Sequence, residues 1–339
     1  MKAARYHGPR SITIESLPEP ICGDGEVLLT MKACGICGTD VKTYVRGHPL
    51  IPPGSVLGHE VVGIVVESQH PVFAIGDRVV AAPYAPCLSC EACRRGHYSL
   101  CENLFESSMD PGGFAEMVRV PRRIADQALF KLPDHLDFMT ASLTEPLACC
   151  IHGLEALDLR AGQSLLIMGD GPMGLLQAVL GKAWGASPVI LSGITPHRLD
   201  FARQVADVVI DVSTQNLVDE LKQHTPYGLE KIIVSVGNAD VVQEALQLVA
   251  KGGAVNIFAG MPKDAMLTLP VNRIHYDEIR ILGTFGFGPQ HFRQALDVLA
   301  QSDNALMKDM FTHTVSLDGI EDALQASSRY EGIKGVVVV

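Results

Sequence analysis

From residue 164 onward the chain alternates short apolar runs with amphipathic ones at a regular spacing, and this restricts the fold more than any other feature of the 339-residue sequence. Residues 164–168, 189–192, 208–211, 231–236 and 254–258 read as strands, and 175–184, 197–205 and 241–249 as helices. Such alternation builds a parallel sheet with helices on both faces, an α/β architecture. Residues 278–283 read as its last strand.

Between the first strand and the first helix lies Gly169-Asp170-Gly171-Pro172-Met173-Gly174. In that context a G-x-G-x-x-G loop holds a pyrophosphate with backbone N–H groups and a helix N-terminus, so the segment is read as dinucleotide-binding. At the end of the second strand an NAD site carries an acid for the ribose 2′-hydroxyl; here the sequence is Ser192-Gly193-Ile194-Thr195-Pro196-His197-Arg198. Without the acid, and with Ser192, Thr195 and Arg198 able to bind a 2′-phosphate, the reading tilts from NAD toward NADP. The plain alternative is that Arg198 is a surface residue at a helix start.

The first 148 residues have a different texture, with short β-rich runs broken by Pro and Gly that suggest a compact, mostly β domain. Within them, Cys37, His59 and Glu60 offer a thiolate, an imidazole and a carboxylate, a mixed set suited to zinc with an open coordination position. An alcohol oxygen at that position loses its proton near neutral pH, and an alkoxide readily gives up hydride. Thr39 is a candidate general acid–base residue, and Asp40 a residue that orients the turn or a ligand. Each of these alone would more simply be a core residue; the set together reverses that.

Cys87-x₂-Cys90-x₂-Cys93-x₇-Cys101 places four thiolates around one tetrahedral zinc with no open position, a structural site. Cys22, Cys34, Cys149 and Cys150 remain as packed free thiols. Glu145 precedes Pro146 at the start of a helix, where it is equally a metal ligand, directly or through water, and an acid favoured by the helix dipole.

With 47% hydrophobic residues the chain can build sizeable cores. Its formal charge of −11, with no basic run, excludes nucleic acid and anionic membranes as natural partners and favours small molecules. No apolar run reaches membrane-spanning length, and the first residues lead into a strand-like segment without a signal sequence, so a cytoplasmic location is expected.

Taken in order, Cys37-Gly-Thr-Asp40, Gly58-His59-Glu60, the four-cysteine lobe, the 169–174 loop and the closing 334–339 strand resemble the zinc-containing medium-chain dehydrogenase/reductase family over essentially the whole chain. Glu145-Pro146-Leu147-Ala148 is similar to its sorbitol (polyol) dehydrogenase branch. The resemblance implies a GroES-like mostly-β catalytic domain over 1–148 and 287–339, with a structural zinc lobe at about 84–105, and a Rossmann doubly wound parallel-sheet coenzyme domain over 149–286. It implies two Zn²⁺ per chain, with Cys37, His59 and Glu60 on the catalytic ion, Glu145 beside it and Thr39 as first proton acceptor, and a homo-oligomer, tetramer or dimer.

The expected activity is NAD(P)-dependent oxidation of a secondary alcohol of a polyol or sugar-like substrate. L-threonine 3-dehydrogenase or a simple alcohol dehydrogenase of the family is the enzymatic alternative. A non-catalytic zinc- and nucleotide-binding homologue is the alternative of another class. Two positions depart from the family pattern: Lys42 replaces a histidine that carries the proton outward, which leaves water or another histidine such as His48, and Gly193 replaces the acid.

Overall fold

Val27–Ile36 is almost continuously apolar, and a strand with no polar face has to be covered on both sides. In the computed structural model, which describes residues 1–301 and 304–339, it lies at the heart of a mixed sheet. The chain divides into two units, Met1–Ala148 with Phe287–Val339, and Cys149–Gly286.

The strands of the first unit are β1 (Lys2–Gly8), β2 (Ser11–Ser16), β3 (Val27–Ile36), β4 (Glu60–Ser68), β5 (Arg78–Ala81), β6 (Met117–Val120) and β7 (Leu129–Lys131). Those of the second are β8 (Leu165–Met168), β9 (Val189–Gly193), β10 (Val208–Asp211), β11 (Leu229–Val234), β12 (Val249–Ile257) and β13 (Arg280–Gly283). The chain then returns to the first unit with β14 (Phe311–Val315) and β15 (Lys334–Val338).

The seven-stranded sheet of the first unit runs β14-β15-β3-β4-β5-β7, with β6 also on β3. The valine-rich tail closes it: β15 pairs antiparallel with β3, setting Gly335 opposite Ile36. Tyr6, Leu29, Met31, Val61, Phe114 and Leu324 share its core. This unit is less purely β than its sequence texture suggests, since it also holds the helices Gly38–Arg46 and Ile320–Ser328, which pack on each other.

The second unit has a six-stranded sheet, order β10-β9-β8-β11-β12-β13, parallel in every pair. Reversal of strand order beside β8 places the loop after β8 at the switch point, where such sheets bind ligands. Leu165, Leu166, Ile167 and Met168 of β8 are all buried, as expected for a central parallel strand.

Three predicted boundaries shift for local reasons. The helix after the glycine loop starts at Pro172 rather than residue 175, because proline has no N–H to lose in a first turn. Val249 begins β12 instead of ending a helix, in keeping with its β-branched side chain. The last strand of this sheet starts at Arg280, since Glu278 turns the chain with φ 52°.

Candidate active site

Gly58 has φ 87°, and a Cβ there would meet the Phe114 ring at 2.7 Å. Glycine alone makes this turn without strain, and the turn delivers His59 and then Glu60, the first residue of β4, opposite Gly35 of β3. Cys37 arrives from the other side as the N-cap of the helix Gly38–Arg46. Its sulfur accepts a hydrogen bond from Thr39 N at 3.4 Å, and its own N–H donates to Asp40 Oδ2 at 2.9 Å. The donor atoms of Cys37, His59 and Glu60 come within 4.8 Å of one another.

Asp40, 1% exposed, ties the two arms together. Its Oδ1 accepts a bond from Gly58 N at 3.1 Å and lies 3.4 Å from His59 Nδ1, which leaves Nε2 as the nitrogen available to a metal. Burial opposes the charged carboxylate, but His59 and the N–H bonds outweigh it and hold Asp40 below the usual range. Burial likewise opposes an imidazolium, yet Asp40 and Cys37 raise His59 well above its ordinary value. The surrounding anions call for positive charge at this point.

Lys334, the first residue of β15, meets part of that demand. Its Nζ donates to Glu60 Oε1 at 2.9 Å and to Ile36 O at 3.3 Å. It also lies 2.7 Å from Glu60 Oε2, but in a direction that makes no hydrogen bond. Burial would lower the lysine, and the charges of Glu60 and Cys37 raise it instead. Glu145, in the first turn of the helix Thr144–Ala156, is pushed up to about 7 by burial, with Glu60 and Asp40 adding to the rise and His59 and Lys334 opposing it.

These residues fit zinc. Cys37 and Glu60 bring two negative charges and His59 a neutral nitrogen, and Glu60 Oε2 is buried without a hydrogen bond, with the Lys334 ammonium 2.7 Å away. Three protein ligands would leave a fourth position of a tetrahedral ion open. The predicted relay position Lys42 is exposed, and His48, half-buried, accepts Leu50 N at 3.2 Å through Nδ1. Tyr44 and Phe114 have their side chains in the core, with Tyr44 Oη donating to Glu321 at 2.8 Å.

The four sulfurs of Cys87, Cys90, Cys93 and Cys101 also gather within 4.8 Å. Cys90 N donates to Cys87 Sγ at 3.3 Å and Cys87 N to Cys101 Sγ at 3.2 Å, the N–H···S pattern of a thiolate knuckle. Hydrogen bonds from Ser89 push the Cys87 thiol down to about 5, whereas burial and the neighbouring thiols push Cys93 up to about 12. Only a metal lets all four ionise together.

In the second unit the loop Gly169–Gly174 leaves β8 with Gly169 at φ 124° and enters the helix Pro172–Ala183 with Gly171 as N-cap. A Cβ at Gly171 would meet nothing within 4 Å, whereas one at Gly174 would meet Gly169 O at 1.9 Å. The loop is therefore open outward and tight inward, the shape a backbone cradle for pyrophosphate needs. Met173 O accepts from Cys150 Sγ at 3.6 Å. Ser192 and Gly193, both buried, end β9; Thr195 stands at the N-cap position of the helix Pro196–Ala202, and Arg198 is buried in its first turn, not a surface residue.

Two residues of these sites have no role in the sequence reading. Lys334 stood out only as a charge opening an all-apolar strand, and Asp170 only as the polar member of the glycine loop. Asp170 is 7% exposed, and its Oδ2 accepts Ile194 N at 2.8 Å and Thr195 N at 2.6 Å.

Two family descriptions match the chain: the alcohol dehydrogenase GroES-like domain over residues 23–134 and the zinc-binding dehydrogenase over 172–301. The sorbitol dehydrogenase of Bacillus subtilis (strain 168) is 33% identical over 340 residues, covering 98% of this chain and 94% of that protein. D-arabinitol dehydrogenase 1 of Uromyces fabae is 31% identical over 346 residues, covering 98% and 96%. Among solved structures, one from Sinorhizobium meliloti 1021, described as a zinc-binding dehydrogenase bound to NADP, superposes with a TM-score of 0.91 at 32% identity, covering 100% of this chain and 99% of the other. The 2R,3R-butanediol dehydrogenase of Bacillus subtilis superposes with a TM-score of 0.88 at 29% identity, covering 100% and 99%.

Proposed function

The chain belongs to the zinc-containing medium-chain dehydrogenase/reductase family, in its polyol dehydrogenase branch, and from that membership we propose that it oxidises a secondary alcohol of a polyol or sugar-like substrate reversibly with NAD(P)⁺. The observation that carries the reading is the convergence of half-buried Cys37 and His59 with buried Glu60 in an anion-rich setting that calls for a cation. In this reading the first unit is the catalytic domain, the second binds the coenzyme, and the cysteine lobe is a folding element.

When bound, zinc supplies Lewis acidity to the alcohol oxygen and the nicotinamide ring accepts the hydride. The protein's own groups do the rest. Asp40 fixes the ring of His59, and Lys334 holds the Glu60 carboxylate in place as a ligand to the ion. Thr39, beside Cys37 in the first helical turn, takes the alcohol proton, and Glu145 is a further carboxylate beside the ligands that would hold the ion directly or through water. The glycine loop holds the pyrophosphate, with Ser192, Gly193, Thr195 and Arg198 around the adenosine ribose. Lys42 leaves the outward proton path to water or to His48.

A homo-oligomer in the cytoplasm completes the proposal. Met266, Val271 and Tyr276, in the segment leading to edge strand β13, are 85%, 72% and 77% exposed, apolar side chains that a second copy would cover. No described helix is long and apolar enough to cross a membrane.

The test is reduced-nicotinamide formation across polyols, sugars, threonine and simple alcohols, each with NAD⁺ and NADP⁺. Turnover on polyols is expected. Turnover confined to threonine or to simple alcohols would move the chain to another branch of the family.

A further inference from the structure

A carboxylate that the sequence does not show at the end of β9 is supplied there by the neighbouring loop. A Cβ built on Gly193 would lie 2.4 Å from Asp170 Cβ, 2.5 Å from Oδ2 and 2.6 Å from Cγ. Asp170 thus fills the volume in which a side chain at 193 would begin. Its Oδ2 stands from that point at the reach of an aspartate's own carboxylate oxygens. A strand-end acid at 193 and Asp170 are mutually exclusive.

The carboxylate is held firmly. Oδ2 takes both N–H bonds, from Ile194 and Thr195. Asp170 also belongs to the G-x-G-x-x-G turn itself, so it stands on the loop proposed to hold the pyrophosphate.

We infer that Asp170 is the residue that selects the coenzyme: it takes the place of the missing strand-end acid, accepting from the adenosine ribose 2′-hydroxyl and repelling a 2′-phosphate, so that the protein prefers NAD(H) to NADP(H). The inference rests on dinucleotide binding by the 169–174 loop. Gly193 alone pointed toward NADP because its missing side chain looked like a missing charge. The charge is present, carried by a residue 23 positions earlier in the chain (193 − 170). It also occupies the Ile194 and Thr195 N–H groups that a phosphate would otherwise engage.

The test is direct titration of the zinc-loaded protein with NADH and NADPH, followed by nucleotide fluorescence, on wild type, Asp170→Asn, Asp170→Ala and Asp170→Ala with Gly193→Asp. Asp170→Asn keeps an acceptor for the loop N–H groups and removes only the charge. Wild type is expected to bind NADH at least about tenfold more tightly than NADPH. Asp170→Asn should close most of that gap, chiefly by tightening NADPH. Asp170→Ala with Gly193→Asp should restore the preference lost in Asp170→Ala, because the carboxylate returns from the strand.

Wild type that binds NADPH as tightly as NADH overturns the inference. So does an Asp170→Asn variant whose ratio is unchanged or that weakens both nucleotides equally, which would leave Asp170 a structural cap. Binding of neither nucleotide overturns the dinucleotide reading together with the inference.

Discussion

At the scale of single residues, the proposed metal site depends on pairings that no single position reveals. Lys334 and Glu60 are 3% and 1% exposed and 274 residues apart in sequence. Removing one partner of such a pair strands the other charge in the interior, at about 3 kcal/mol or more. Lys334→Met is therefore expected to lower unfolding free energy by about 3 kcal/mol and to weaken zinc retention, read by urea titration and metal analysis. Unchanged stability would show that Lys334 does not hold Glu60. Gly58→Ala is expected to cost about 2 kcal/mol or more, from the positive φ and the contact with Phe114, and to displace His59 so that zinc content falls with stability. Retention of both would mean the turn tolerates a side chain.

At the scale of elements, the lobe around the four cysteines is the part least able to fold by itself. It contains a four-residue helix, 3₁₀ turns and a small cluster of Cys93, Cys101 and Leu104 with Tyr84 and Tyr98. Metal binding supplies what that cluster lacks. Cys93→Ser should lose one zinc of two, lower the melting temperature and open the 88–100 segment to protease. Cys37→Ala should lose the other zinc and the activity while leaving the lobe resistant to protease. Equal protease sensitivity in both variants would contradict this division of roles. Elsewhere, Asp207 anchors β9 by accepting Val189 N at 2.9 Å and pairing with Lys182. Burial would raise it, and the lysine and the N–H bond hold it below the aspartate range instead. A depressed acid contributes stability above its unfolded pKa and loses it as pH falls through the folded one. The advantage of wild type over Asp207→Asn, about 1 kcal/mol at pH 7, should therefore vanish as pH falls below about 4, in equilibrium unfolding across pH.

The elements also show what the sequence could and could not convey. Strand–helix alternation and the glycine loop are local patterns, and the parallel sheet follows from them. Cys37, His59 and Glu60 were legible because a thiol, an imidazole and a carboxylate form an unusual set and Gly58, at φ 87°, marks the turn before His59 and Glu60. Lys334 and Asp170 were not, because their meaning lies in a carboxylate or N–H group that only the folded chain brings near. The buried placement of Arg198 was hidden for the same reason: helical phase, not residue type, decides which face it occupies.

At the scale of the whole molecule, each unit holds one part of the proposed reaction: the first carries the metal-ligand cluster and the second the dinucleotide loop. The acidic balance of the chain, 38 Asp and Glu against 27 Lys and Arg, suits a neutral polyol better than an anionic sugar phosphate. The most direct test of the central claim is coupled: zinc per chain and reduced-nicotinamide formation, measured on the same preparations of wild type and Cys37→Ala with a polyol panel. The expected result is two zinc ions and polyol turnover in wild type, and one zinc ion with no turnover in the variant. Polyol turnover that survives in Cys37→Ala, or its absence in wild type carrying both ions, would contradict the account.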